Sequence, residues 1–206
     1  MKIKTVFLLS MLIGTWIAVS CGPNEAAKES GSNTLTEAES AVYVEKGKVI
    51  AGTTFSALSS RLQAAMKEGG VPQAIAYCNL NAYPLTDSLA KANQAEIRRT
   101  SLLTRNPENA PNMAEKVMLD EYAAAAGEGK ELKPQVVLLD DETVAFYAPI
   151  KVNAFCLQCH GKLGENLTEE NYAIIKENYP DDQAIGYLDG DLRGMWSIKF
   201  QRDDLK

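Results

Sequence analysis

The sequence predicts an α+β fold: one antiparallel sheet flanked by helices, behind a long N-terminal helix. Three observations predict it. Helical patterning fills the first half of the globular part, and alternating strand patterning appears only in the second. Two of the strands are joined by a short acidic turn, Asp140-Asp141-Glu142, which makes them an antiparallel hairpin. The chain has 206 residues, 46% of them apolar and 23% charged, enough for one sizeable core and too short for two comfortable domains.

The elements follow in order. Thr34-Leu35-Thr36-Glu37 and Thr36-Glu37-Ala38-Glu39 both fit a capping box, so a helix starts there and runs to about Glu68. Gly69-Gly70 stops it, and Gly47 and Gly52 are expected to bend it. Leu58, Leu62, Ala65 and Met66 give its second half an apolar face. Pro72 suits the first position of a second helix, where its missing donor would be orphaned anyway. That helix carries Ala74, Ile75, Ala76, Tyr77 and Cys78. Pro84 is expected to break or kink it, leaving 85–93 as a separate short helix. A short strand follows at 97–102, then a loop rich in turn formers at 106–112. Residues 113–126 read as a helix ending at Gly127. A β-branched and leucine run at 135–139 leads through the acidic turn into Val144, Phe146, Ala148, Ile150 and Val152. Their alternation is that of a half-buried strand. A short helix at 168–178 and a last strand with Trp196, Ile198 and Phe200 complete the pattern.

Residues 1–20 stand outside this fold. Lys2 and Lys4 precede an almost wholly apolar run, 6–19, ending in small residues before Ser20 and Cys21. Basic head, apolar stretch and small-residue exit mark an export signal. Ile17-Ala18-Val19-Ser20-Cys21 resembles a bacterial lipobox, with Ala18 where leucine is commoner. Cys21 would then be diacylated and become the new N-terminus, holding the protein on a membrane. The alternative is a plain secretory signal cut near Cys21. Residues 21–33 are small, polar and aperiodic and read as a flexible tether, so the globular domain is 34–206. The expected location is the periplasmic or outer face of a bacterial membrane. The formal charge of −6 argues against a nucleic-acid partner, which selects a clustered positive surface. No nucleophile triad, phosphate loop or paired-carboxylate site stands out, so an enzyme is not expected.

Cys156-Leu157-Gln158-Cys159-His160 is C-x-x-C-H, the attachment site of one covalent c-type haem. Two thiols three residues apart on one turn reach the two vinyl groups of a porphyrin edge, and the adjacent histidine comes under the iron. Shuffling this composition produces the motif in roughly one chain in three thousand, and the sole histidine falls inside it. Export agrees with it, because such haems are attached outside the cytoplasm. Three other readings use the same residues: a Cys156–Cys159 disulfide, a zinc site of Cys78, Cys156, Cys159 and His160, and a thioredoxin-type redox pair. They explain less, since only haem requires the histidine next to the second cysteine.

With His160 as one axial ligand, bis-histidine ligation within the chain is impossible. The second ligand is open among Cys78, Met66, Met113, Met118, Met195, a lysine, or none. Cysteine arithmetic favours Cys78, the thiol left when Cys21 goes to lipid and Cys156 and Cys159 to thioethers. Ile75, Cys78, Asn79 and Ala82 share one helix face, with small residues nearby that would let a flat macrocycle approach. Arg98, Arg99, Arg105 and Arg193 are candidates for the propionates, because guanidinium pairs bidentately with carboxylate. Tyr179, Tyr187 and Trp196 are candidates to line the haem. For each of these side chains an ordinary salt bridge or core position is the simpler reading.

Several stretches together resemble a family of bacterial single-haem domains, the cyanobacterial cytochrome-like haem family. They are Ala74-Ile75-Ala76-Tyr77-Cys78, Arg98-Arg99-Thr100-Ser101, and Arg105-Asn106-Pro107-Glu108-Asn109-Ala110-Pro111. Pro149-Ile150, the C-x-x-C-H motif with Gly161, residues 179–187, and Gly190-Asp191-Leu192-Arg193-Gly194 complete the set. The resemblance covers about 34–200. It implies a PAS/GAF-like antiparallel sheet, and axial ligation by His160 and Cys78. A thiolate trans to histidine would stabilise ferric iron and lower the potential. Its loss on reduction would open a site for a small gas. The expected function is therefore a redox or gas sensor or a low-potential electron carrier, with a redox partner protein or a gas as its counterpart. The alternatives are a His/Met carrier cytochrome, or a non-haem lipoprotein with a zinc or disulfide staple.

Overall fold

The structure, a computed structural model, describes residues 34–202; the expected signal, Cys21 and the tether lie outside the described residues. Helix α1 (Glu37–Ala92) opens on the expected capping box, with Thr36 and Glu39 each satisfying the other's backbone N–H. Its dihedrals leave the helical region at Gly69 and Gly70, with φ −154° and +65°. The second value lies in the left-handed region that glycine occupies freely. The helix therefore has two arms, 37–68 and 71–92, with Pro72 in the first turn of the second.

Two expectations about α1 are corrected. Pro84 does not end the helix, which runs through it to Ala92. Pro84 itself is exposed, and so is Leu80, whose carbonyl is the one left without its helical donor and can turn to water. Ala82 and Thr86, buried on either side of the proline, hold the arm down. Gly47 and Gly52 also keep helical dihedrals. Gly47 is buried, and a Cβ there would sit 2.2 Å from the Phe146 ring. It is the point where the helix backbone lies against the sheet.

Strands β1 (Glu96–Thr100), β2 (Gln135–Leu138), β3 (Thr143–Lys151) and β4 (Leu192–Gln201) form one antiparallel sheet in the order β1-β4-β3-β2. Tyr43, Ile50 and Leu58 of α1 pack on one face, against Ile97, Val144, Phe146, Trp196, Ile198 and Phe200. Helix α2 (Met113–Gly127), started by an Asn112–Glu115 capping box, covers the other face. There Met118, Leu119 and Tyr122 meet Ala145, Tyr147 and Met195. So β3 is buried on both sides, not half-buried. The alternation counted only the residues facing α1. Ala145 and Tyr147, which read as the solvent set, lie under α2, and the Tyr122 hydroxyl donates to the Tyr147 carbonyl at 3.1 Å.

The β3–β4 ladder shifts register between Ile150 and Lys151, and the chain leaves the sheet there. It forms the one-turn helix α3 (Leu157–His160) and then α4 (Glu169–Asn178), which packs on the second arm of α1. Among the described residues no helix is long and apolar enough to cross a membrane.

Candidate functional site

The C-x-x-C-H turn begins where the sheet ends. Val152 and residues 190–191 exchange two backbone bonds of 2.9 Å, which close the 153–189 excursion at its base. The Asn153 side chain then accepts from the Phe155 amide at 3.0 Å and turns the chain. The amides of Cys159 and His160 both return to the Cys156 carbonyl, at 3.1 and 2.9 Å. One helical turn thus carries both thiols and the imidazole. Gly161 ends it; a Cβ there would come within 2.6 Å of the Leu157 carbonyl and of Asn166.

The segment 179–187 folds back over this turn without regular structure of its own. Gly186 and Tyr187 donate to the carbonyls of Gly161 and His160, both at 3.0 Å. The imidazole is held by the same segment: Nδ1 lies 2.7 Å from the Ala184 carbonyl, which can only accept. Nδ1 therefore carries the proton, and Nε2 keeps its lone pair. Burial first, then the Arg105 and Arg193 charges, holds the imidazole pKa well below its usual value. The ring is neutral at physiological pH, which is the metal-binding form. Tyr187 meets it edge-on at 6.3 Å.

Arg105 is the centre of the polar contacts. Its Nε and Nη2 each lie 3.2 Å from Asp182, whose side chain is fully buried. Nη2 also reaches the carbonyls of Cys159 at 2.5 Å and Ala184 at 3.4 Å. Asp182 in turn accepts from the Ala184 amide at 2.9 Å. The sequence marked Arg105 as a carboxylate binder, and its carboxylate turns out to be Asp182. The pairing partner was missed because Asp181 and Asp182 are indistinguishable by pattern, and only the fold shows which one is inside.

Cys78 lies on the second arm of α1, partly buried and with a free thiol, as Cys156 and Cys159 are. Burial pushes its pKa up, and the Arg99 and Arg105 charges pull it back. Burial likewise raises Cys159, with Arg105 lowering it and Cys78 and Cys156 adding to the rise. The helix cysteine and the motif cysteines thus share one electrostatic neighbourhood. Cys159 also packs with Val71, Ile75, Ile175 and Tyr179. Tyr179, pushed up to about 12 by burial, responds to the same Cys78, Arg105 and Arg99 charges. Tyr83, which the sequence reading did not single out, belongs here too, with its hydroxyl 3.0 Å from Asn109.

The four arginines separate. Arg98 lies on the α2 face, 3.7 Å from the buried Glu115 and bonded to the carbonyls of Glu108 and Ala110. Arg99, one residue on, lies on the α1 face with its guanidinium 5.9 Å from the Trp196 ring. It has no hydrogen bond or ion pair with any described group, although burial lowers its pKa. Arg193 bonds Ser101 and the Leu103 carbonyl through Nη1, stands 5.5 Å from the Tyr187 ring, and keeps a buried Nε without a partner. The methionines separate as well. Met118 and Met195 fill the α2 face, Met113 is exposed, and Met66 packs on the same apolar cluster as Cys159. Among the described residues no three His, Cys, Asp or Glu side chains are gathered as a metal ion alone would need, so the zinc alternative has no assembled site.

These residues fit a haem. Two thiols and a neutral imidazole with free Nε2 share one turn, and a third thiol lies in the same neighbourhood. Arg99 without an anion and the orphaned Nε of Arg193 are the kind of donors that propionates satisfy.

A helix-flanked antiparallel sheet with a C-x-x-C-H turn latched beside its central strands defines, over the described residues, an α+β domain that presents a cofactor motif. The chain belongs to the Tll0287-like family, whose family model matches residues 24–201. Among solved structures it is similar to the cyanobacterial haem protein Tll0287, with 27% identity and a TM-score of 0.54 over 76% of this chain and 94% of that one. No curated protein matches.

Proposed function

We propose that this chain is an exported, membrane-anchored haem protein acting as a redox or gas sensor or a low-potential electron carrier. Cys156 and Cys159 would hold one haem covalently, and His160 and Cys78 would ligate its iron. The observation that carries the reading is the His160 geometry: a neutral ring pinned through Nδ1, with Nε2 left for iron. Membership in a family with a haem protein among its relatives supports it.

When bound, the haem supplies an iron that changes redox state and can free a coordination position. The chain's residues do the rest. Ala184 holds the proton on Nδ1 and so raises the donor strength of Nε2. Cys78 brings a thiolate whose charge favours ferric iron, with Arg99 and Arg105 offsetting part of its burial. Arg99, and Arg193 through its unpartnered Nε, would take the propionates, whereas Arg98 and Arg105 are engaged by Glu115 and Asp182. Lipid on Cys21 keeps the domain at the membrane surface.

Optical and EPR spectra test the ligand set. The ferric wild type should be low-spin without the near-infrared band of methionine ligation. Cys78→Ser should turn it high-spin and raise the potential, with the haem still covalent. An unchanged spectrum would mean that Cys78 only packs, and the second reading, Met66 of the Cys159 cluster as ligand, would replace it. Reduction in the presence of nitric oxide separates sensor from carrier: a sensor binds the gas as the iron is reduced. Detergent-phase partitioning should disappear in Cys21→Ser.

A further inference from the structure

Arg105 makes more contacts than an ion pair needs. Its partner Asp182 is satisfied by Nε and Nη2 alone, at 3.2 Å each. Yet Nη2 also reaches two carbonyls, and both belong to the histidine's surroundings. One is Cys159, the residue before it; the other is Ala184, the acceptor of its Nδ1 proton. Asp182 meanwhile holds the Ala184 amide at 2.9 Å. The loop that supplies Arg105 is fixed to the same segment, because the Gln183 amide donates to the Thr104 carbonyl at 2.9 Å. The contacts close into a ring: Arg105 to Asp182, Asp182 to Ala184, Ala184 to His160, and the histidine's own turn back to Arg105. A buried ion pair is a poor source of net stability compared with apolar packing, so its value lies in the geometry it fixes.

We infer that Arg105, with Asp182, is a positioning residue for His160: it sets the place of the Ala184 carbonyl and with it the tautomer and orientation of the imidazole. This rests on the haem reading above. It gives Arg105 a role apart from the propionates, acting on the iron through the ring nitrogen. Segment 179–187 has no helix or strand to hold Ala184 in place, so the Arg105–Asp182 pair supplies what regular structure does elsewhere. A lysine could keep the charge, but it could not span the carboxylate and both carbonyls.

His160 is the only histidine, so protein labelled with 15N-histidine reports one imidazole. The measurement is made on the full haem-loaded protein, reduced and bound to carbon monoxide, which is diamagnetic. Wild type should show a slowly exchanging Nδ1 proton. Arg105→Lys should speed that exchange at least tenfold while the midpoint potential stays near the wild-type value, because the charge remains. Arg105→Gln should speed it equally and lower the potential, because a positive charge is gone. Gly47→Ala, which strains the distant helix–sheet contact, should leave the exchange slow; that control separates positioning from general loosening. Should Arg105→Lys fail to fold, Asp182→Asn keeps the shape and breaks the same ring, and the same acceleration is expected. An Nδ1 proton as protected in these variants as in wild type overturns the inference. If the purified chain holds no haem, the haem reading fails separately. The same label then reads the ring directly, with an Nδ1-protonated tautomer in wild type and a tautomer mixture in Arg105→Lys expected. A mixture already present in wild type would overturn it.

Discussion

Between α1 and the sheet, Tyr43, Phe146, Ile198 and Phe200 are at most 1% exposed and belong to one apolar cluster, with the Tyr43 hydroxyl donating to the Arg202 carbonyl at its edge. Between residues 152 and 191 the chain has only α3 and α4 for regular structure. Its motif rests on small apolar clusters through Cys156, Leu157 and Cys159, but what fixes its orientation is polar: an Asn153 turn, two latch bonds from 186–187, the His160–Ala184 contact and the Arg105–Asp182 pair. The first region is a non-directional packing solution, which tolerates similar shapes and punishes lost volume. The second is a directional solution, in which single atoms have fixed partners. The proposed site, which would aim two sulfurs and one nitrogen at a flat group, needs the second kind. A sheet that must not move needs the first.

The comparison breaks most visibly if substitutions in the motif region disturb the haem no more than core substitutions do. Cys156→Ser with Cys159→Ser should abolish covalent attachment. Intact mass should then lack one haem, and acid-acetone should extract any colour that remains. The wild type should show the opposite in both assays.

In the core, Phe146→Ala should cost about 3–5 kcal/mol, from lost transfer energy plus the cavity left between α1 and the sheet. Urea denaturation monitored by far-UV circular dichroism checks it. A loss below about 1 kcal/mol would mean that this region is not close-packed. Gly47→Ala sharpens the same point from the other side. The added methyl would sit inside the Phe146 ring position, and overpacking of this kind costs about 1–3 kcal/mol. The proposed covalent attachment of haem should be unaffected in both variants, because neither residue belongs to the motif or its latch.

The smallest effect belongs to the start of α1. Thr36→Ala removes the cap and should cost about 1 kcal/mol. Glu39, held below the usual carboxylate range first by the Thr36 backbone amide and then by its hydroxyl, adds a pH signature. A lowered folded-state pKa contributes stability above the unfolded value, and that contribution is lost as pH falls through the folded one. Thr36→Ala keeps the amide and removes only the hydroxyl's share, so its cost should be full at neutral pH and shrink partly, not wholly, in the acid range below the ordinary glutamate pKa. Equilibrium denaturation at both pH values measures it.

Much of this was legible because it is local. The capping box at Thr36, the Gly69-Gly70 stop and the alternation in β3 and β4 each depend on residues a few positions apart, and each is where the pattern put it; the Asn112–Glu115 box is as local, but the reading passed over it as part of a loop. The break at Pro84 was misjudged for a tertiary reason: the proline is exposed, and burial of Ala82 and Thr86 against the rest of the fold outweighs one missing bond. The half-buried reading of β3 failed for the same kind of reason, since no period within a strand announces that a second helix covers its other face.

The sequence by itself determined the chemistry available: two thiols and an imidazole at the spacing of one turn, a third cysteine on a helix, and the arginines at 98, 99, 105 and 193. These are covalent and short-range facts, and folding does not alter them. Only the tertiary structure decided their assignments. It decided which face of the sheet receives Arg98 and which Arg99, gave Arg105 to Asp182, left Arg99 without an anion among the described residues, and brought Ala184 to the proton of His160. Each of those outcomes depends on contacts between segments tens of residues apart, whose closure is decided by the packing of the whole core and not by any local preference.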